Sequence, residues 1–113
     1  MALGTITRPG VYSDYVQGNK RVCVRDVQLT AGANYTTGGE TITASAVGLN
    51  RITEAVPLGL AVPAGGATSR SVGFIFAANQ KSVKMVVQTT ASAEAASNSD
   101  QSTFTARIEF VGA

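Results

Sequence analysis

The sequence contains no histidine and no tryptophan, and its single cysteine is Cys23. Without histidine, the chain lacks the usual general base and the commonest metal ligand. One cysteine can form neither an intrachain disulfide nor a cysteine-based metal site, and its two valine neighbours favour a strand position over a reactive thiol. We therefore predict no catalytic residue, no metal site and no cofactor, and we predict that the protein is not an enzyme.

Charged residues are also scarce. They make up 14% of the chain, about half the usual share, and nine Lys and Arg against seven Asp and Glu leave a net charge of +2. The cations are dispersed and no aromatic residues alternate with them, which argues against a nucleic-acid partner. The seven carboxylates occur singly along the chain, so we expect them to be solvated surface groups.

Long apolar runs are missing as well. The first ten residues have no apolar stretch behind a basic region, so they do not resemble a secretory signal. Nowhere do 18 apolar residues follow one another, which predicts no transmembrane helix and no membrane partner. We expect the chain to be made and folded in a cytoplasm.

The chain is instead rich in small side chains. Its 113 residues, enough for one domain, include 17 Ala, 13 Val, 13 Thr and 12 Gly, but only four Phe and three Tyr. Burying alanine and valine removes less apolar surface from water than burying larger residues, so a single copy should have a thin core and marginal stability. This composition favours a subunit that neighbouring subunits stabilise.

The clearest periodicity is two, the repeat of a half-buried β-strand. In residues 103–111, Phe104, Ala106, Ile108 and Phe110 alternate with polar side chains. The same pattern in residues 71–77 and 82–90 predicts two more strands, joined by a hairpin.

The first half of the chain is less regular. Residues 20–30 read as a strand whose alternation changes phase at Arg25, which predicts a bulge at Arg25 and the following Asp26. Residues 43–49 fit either a helical turn capped by Thr43 and ended by Gly48, or a bent strand. Pro57 marks an edge strand or a bulge within residues 51–60.

Three segments are predicted to lie outside regular strands. Residues 63–67 form a turn region, and residues 92–102 form a polar connection that is either an exposed tip or a helical turn around residues 93–96. Residues 1–19 are interrupted by Pro9 and Gly10 and read as an extended N-terminal arm. Residues 20–113 then form an all-β domain, a single antiparallel β-sandwich or small barrel of about six to eight strands.

Contact with a partner is predicted for the arm and for residues 31–39, a long turn rich in turn-forming residues. The three tyrosines lie there, either as anchors on a partner or folded back onto the domain's own surface. The candidate partner-binding residues are Leu3, Ile6, Pro9, Val11, Tyr12, Tyr15 and Tyr35.

Residues 35–43 read Tyr-Thr-Thr-Gly-Gly-Glu-Thr-Ile-Thr and are followed by Val-Gly-Leu at 47–49. This stretch, with the closing strand that ends near Gly112, resembles small structural proteins of tailed bacteriophages, in particular capsid decoration proteins. The resemblance covers residues 20–113 in layout, but its specific motif spans residues 35–49 alone.

The resemblance implies a β-rich cement protein on the outer surface of the virion, bound to the major capsid protein. It also implies self-association, often as a homotrimer at local three-fold positions. An arm lying across the coat surface would suit residues 1–19.

Other functions stay open at this point. The chain could belong to a head fibre base or a tail component of the virion. A carbohydrate-binding β-sandwich would want several exposed aromatic platforms, for which a chain without tryptophan is poorly equipped. A small hydrolase comes last.

Overall fold

The computed structural model describes residues 4–10, 14–30, 35–61, 71–88, 94–96 and 104–113. Within these ranges the chain forms eight strands and one short 3₁₀ helix, with no α-helix. The strands are β1 (Ile6–Thr7), β2 (Asp14–Gln17), β3 (Lys20–Gln28), β4 (Glu40–Thr43), β5 (Ile52–Ala61), β6 (Ser71–Phe76), β7 (Ser82–Gln88) and β8 (Thr105–Gly112), and the 3₁₀ helix is Ser45–Val47.

All the strand pairs are antiparallel, and the strands form two sheets. The larger sheet has the order β1-β3-β8-β5, with β2 also paired to β3, and the smaller sheet has the order β4-β7-β6. The two sheets share one core, in which Phe74 of the smaller sheet meets Phe110 of the larger edge-to-face at 6.4 Å. The prediction of an all-β antiparallel sandwich is confirmed.

The period-two pattern accounts for the two central strands. Every second residue of β8 and β7 is buried, as the alternation predicts. The hairpin between β6 and β7 also forms, and it is closed by a 3.1 Å hydrogen bond from the Ala77 N–H to the Ser82 carbonyl. Phe76 shares the inward face of β6 but is 44% exposed. On the inward faces of β7 and β8, and at the residue preceding β8, the buried side chains are Val83, Met85, Val87, Phe104, Ala106, Ile108 and Phe110.

The bulge predicted at Arg25 and Asp26 is wrong. From Arg21 to Gln28, β3 pairs with β8 without a register shift, and Arg25 itself occupies an inward position between Cys23 and Val27. The apparent change of phase arises because Val22 and Val24, which face away from the core, are apolar, whereas the inward Arg25 is charged. The irregularities lie instead in β5, at the edge of the larger sheet, where one of two register shifts follows Pro57.

The extended arm predicted for residues 1–19 is not confirmed. In its described parts, β1 and β2 both pair with β3, and Ile6 packs against the core. β2 turns back onto β3 through Gly18, whose φ of +64° is readily available to glycine. The sequence shows no sign of these two strands, because neither has enough residues to show alternation.

Two ambiguous segments are also resolved. Residues 45–47 form a helical turn ended by Gly48 at φ +85°, but its N-cap is Ala44 and Thr43 makes no capping bond. The helical alternative for residues 93–96 is wrong for the described residues 94–96. Glu94 forms a β-bridge with Gln88, and the Ala95 N–H donates to the Val87 carbonyl at 2.8 Å.

No helix in the described ranges has the length and hydropathy needed to cross a membrane.

Candidate functional site

The larger sheet carries an apolar patch on the face that points away from the core. The strand registers place Tyr15, Val22 and Val111 in one row across this face, and Val24 and Val56 in the next row around Glu109. We call these five apolar residues the outer patch. Tyr15 and Val56 are 48% and 42% exposed, whereas Val22 and Val111 at the centre are buried.

Charged side chains beside the outer patch are paired with one another. The Lys20 Nζ lies 3.5 Å from the Glu54 Oε1. The Arg107 guanidinium donates two hydrogen bonds to the Asp26 carboxylate, at 2.8 and 3.2 Å, which raises the pKa of Arg107. Exposed pairs of this kind add little to folding stability. The four side chains of these two pairs carry no net charge together, so a partner can cover them without leaving one charge of a pair unpaired.

The structure separates the predicted partner-binding residues. Ile6 and Pro9 are half-buried, and Tyr15 is exposed on the outer patch. Tyr35 is 1% exposed, so it packs within its own domain and is not available as an anchor on a partner. The remaining candidates, Leu3, Val11 and Tyr12, lie outside the described residues.

Tyr35 is held at the centre of a hydrogen-bonded cluster. Its hydroxyl donates to the Glu94 Oε2 at 2.8 Å and accepts a bond from the Val87 N–H at 3.0 Å. The Gly38 N–H donates to the same Glu94 oxygen at 2.6 Å. The cluster therefore ties the turn before β4 to β7 and to the segment that follows β7.

Glu40 corrects the expectation that the carboxylates are solvated. Its side chain is completely buried, its Oε1 accepts the Thr36 N–H at 2.9 Å, and its Oε2 has no hydrogen-bond partner among the described residues. Glu40 and Glu94 thus both accept backbone hydrogen bonds from the turn that follows Tyr35, from Thr36 and Gly38 respectively. The motif at residues 35–40 signals this arrangement in the sequence, but the partner Glu94 is 59 residues from Tyr35 and no local pattern indicates it.

The chemistry of this cluster is structural. Burial, together with the hydrogen bond to Glu94, raises the pKa of Tyr35 from 10.0 to about 12. At neutral pH the hydroxyl is therefore protonated and acts as the hydrogen-bond donor to Glu94. In the part of the chain that the structure describes, no three metal-ligating side chains converge. The Tyr35 hydroxyl that bonds to the Glu94 carboxylate is buried and keeps its proton, which disfavours its use as a nucleophile.

The two glycines of the motif give a matched pair of substitutions. Both have positive φ, +98° at Gly38 and +113° at Gly39, but a Cβ at Gly38 meets open space, whereas one at Gly39 lies 3.1 Å from the Met85 carbonyl oxygen. We expect Gly38→Ala to lower the free energy of unfolding by about 1 kcal/mol, from backbone strain alone. Gly39→Ala should cost about 2 kcal/mol or more, because the same strain is joined by close contacts that the neighbouring atoms must shift to relieve. Urea denaturation of both variants measures the difference, and equal losses would contradict it.

A second polar cluster lies under β2. The Arg25 guanidinium points into the protein and donates two hydrogen bonds to the Asp14 carboxylate, from Nη1 to Oδ1 and, at 3.0 Å, from Nη2 to Oδ2. Nη1 also donates to the Val24 carbonyl at 2.9 Å. The hydrogen bond from Arg25 is the main reason that the pKa of Asp14 is lowered from 3.8. This pair fastens β2 to the sandwich.

Cys23 lies beside this pair on the inward face of β3. Its side chain is completely buried, and burial raises the pKa of the thiol above 9.0. Because the thiolate is the reactive form, this environment disfavours nucleophilic chemistry at Cys23.

Comparisons of the chain with protein-family models, with curated proteins and with solved structures found no match. A functional assignment therefore depends on the fold, on the outer patch and on the sequence motif.

Proposed function

We propose that the chain is a structural protein of a tailed-phage virion, a capsid decoration protein that covers the outer surface of the major capsid lattice. The observation that carries the proposal is the outer patch, with exposed Tyr15 and Val56 and a rim of paired charges. An apolar centre within a polar rim is the usual composition of a protein-binding surface. The resemblance at residues 35–49 supports the choice of a virion protein.

The proposed mechanism is mechanical. Covering apolar surface contributes about 25 cal/mol per Å² before the costs of association, and a decoration protein gains this at many equivalent lattice positions. Leu58, which lies at the β5 register shift and is 52% exposed, extends the apolar surface along the edge strand. Many modest contacts of this kind would brace neighbouring coat subunits against the pressure of packaged DNA.

Binding to undecorated heads tests the proposal. Heads of the source virus that were assembled without this chain are mixed with the purified protein and sedimented. We expect co-sedimentation in hundreds of copies per head, and heads that withstand higher temperature and chelator before they release DNA. Absence of binding together with no gain in resistance would overturn the proposal, and tens of copies or fewer would indicate a tail or fibre component instead.

Two lysine substitutions test the surface that we assign to this binding. Val56→Lys places a charge in the outer patch and should weaken binding at least about tenfold, the equivalent of about 1.4 kcal/mol. Thr43→Lys is the matched control, because Thr43 is exposed on the smaller sheet, away from the patch. If the two variants bind equally well, the outer patch is not the binding surface.

A further inference from the structure

β6 is an edge strand that lacks the usual protection against pairing. In the described part of the chain it pairs with β7 alone. Its six residues include no proline and no charged side chain, whereas the edge strand β5 carries Pro57 and two register shifts, and β1, β2 and β4 have four residues or fewer. Unprotected apolar edges are the places where sheets pair with another chain.

The hydrogen-bonding pattern of the hairpin shows which groups of β6 face outward. Ala77 bonds with Ser82, and in antiparallel sheets bonded and non-bonded pairs alternate. The Val87 N–H and carbonyl bond to Tyr35 and Ala95, so they face away from its β6 partner Val72. The outward N–H and carbonyl groups of β6 therefore belong to Val72, Phe74 and Phe76.

We infer that β6 pairs with β6 of a second copy of this chain, antiparallel about a two-fold axis at Phe74. In this register Phe74 meets its own symmetry mate and Val72 meets Phe76 of the second copy. All three outward N–H groups and all three outward carbonyls of each strand are then used. A symmetric register shifted by two residues leaves one of these residues unpaired on each strand.

The side chains of β6 complement one another in the same register. Gly73 of one copy stands opposite Ile75 of the other on the face of the sheet that points away from the core. The two residues form a non-hydrogen-bonded pair, where the strands come closest. A Cβ at Gly73 would meet nothing within 4 Å in the part of its own chain that the structure describes, and its φ is not positive, so the described fold does not require glycine there. A glycine inside a strand often marks the close approach of another backbone.

This pairing also covers the exposed apolar side chains of the strand. Ile75 is 56% exposed and Phe76 is 44% exposed in the single chain. Ile75 would lie over the partner's Gly73, and Phe76 would lie beside the partner's Val72. The two smaller sheets would join into one six-stranded sheet with the order β4-β7-β6-β6-β7-β4. The pairing does not depend on the proposed capsid function and uses the opposite sheet from the outer patch.

Oligomeric state and hydrogen exchange test the inference together. Sedimentation equilibrium of the full chain up to about 100 µM should give twice the 11.6 kDa chain mass. Ile75→Lys should give a monomer, whereas Val16→Lys, a matched change at a 69% exposed residue of β2, should stay a dimer. The amides of Val72, Phe74 and Phe76 should exchange slowly in the wild-type dimer and at least about a hundredfold faster in the Ile75→Lys monomer.

A monomeric wild-type chain over this concentration range would overturn the inference. A dimer whose outward β6 amides exchange rapidly would do so as well, because it would place the contact on another surface. Circular dichroism of both lysine variants shows whether the sandwich is intact. If Ile75→Lys does not fold, the amides of the wild-type chain decide the question alone.

Discussion

Replacing Asp14 with alanine is expected to lower the free energy of unfolding by about 3 kcal/mol, although its carboxylate is 26% exposed. The cost arises at the partner, because the Arg25 guanidinium is 8% exposed and would stay buried without a counterion. The loss should also appear as fraying of β2, which this pair fastens to the sandwich. Chemical denaturation measures the first effect, and amide exchange of residues 14–17 measures the second.

A double-mutant cycle separates the ion pair from packing. Arg25→Met combined with Asp14→Ala should recover most of the lost stability, because no buried charge is left unpaired. Asp26→Ala is the matched control, since it also removes an aspartate that binds an arginine through two hydrogen bonds, but Arg107 is 53% exposed there. Its effect should be much smaller than that of Asp14→Ala. Equal losses from the two alanine variants would contradict the role given to burial.

The Asp14 carboxylate also sets an acid limit. Its pKa is lowered in the folded state from 3.8, chiefly by the hydrogen bond from Arg25. A lowered pKa means that the folded form binds the proton less readily than the unfolded form, so stability falls as pH falls. The contribution of the pair is therefore complete above about pH 5 and is lost as the pH drops through 3.8 and below. The Asp14→Ala variant should lack this part of the acid unfolding curve.

Sequence reasoning succeeded where the identity of a residue matches its burial. In β7 and β8 each inward position carries an apolar side chain, so alternation alone predicts the strands and the face that they bury. Of its two alternatives for residues 43–49, the helical turn ended by Gly48 is the one that forms, and Pro57, predicted to mark an edge strand or a bulge, lies in an edge strand beside a register shift. These features depend on local periodicity or on the geometry of one residue.

It failed where burial depends on a distant partner. Arg25 is inward because Asp14 neutralises it, and Glu40 is inward because the turn at residues 36–39 folds over it. An isolated arginine or glutamate in a sequence is far more often a surface residue, so the pattern indicated a bulge and a solvated carboxylate. The outer patch was missed for a related reason, since its rows are assembled from four strands through their registers.

Replacing Tyr35 with phenylalanine should cost about 2 to 3 kcal/mol of stability at pH 7. The hydroxyl is the acceptor of the Val87 N–H and a donor to Glu94, so its removal leaves a buried N–H unpaired and breaks the link between the β4 turn and the segment after β7. Tyr15→Phe is the control, because Tyr15 is 48% exposed and should tolerate the change. Thermal denaturation of the two variants under identical conditions gives the comparison, and a Tyr35→Phe variant as stable as the control would contradict the role of the cluster.

The same hydroxyl should make the wild-type chain sensitive to alkali. Because the pKa of Tyr35 is raised from 10.0 to about 12, the unfolded chain releases this proton at lower pH than the folded chain. The contribution is thus complete below pH 10 and is lost as the pH rises through about 12, by about 2 kcal/mol over the interval. Tyr35→Phe has no such proton, so its stability should fall less steeply over the same range. Lysine and arginine titrate alike in both chains, and the difference between the two curves therefore isolates Tyr35; parallel curves would show that its hydroxyl is not held as the structure places it.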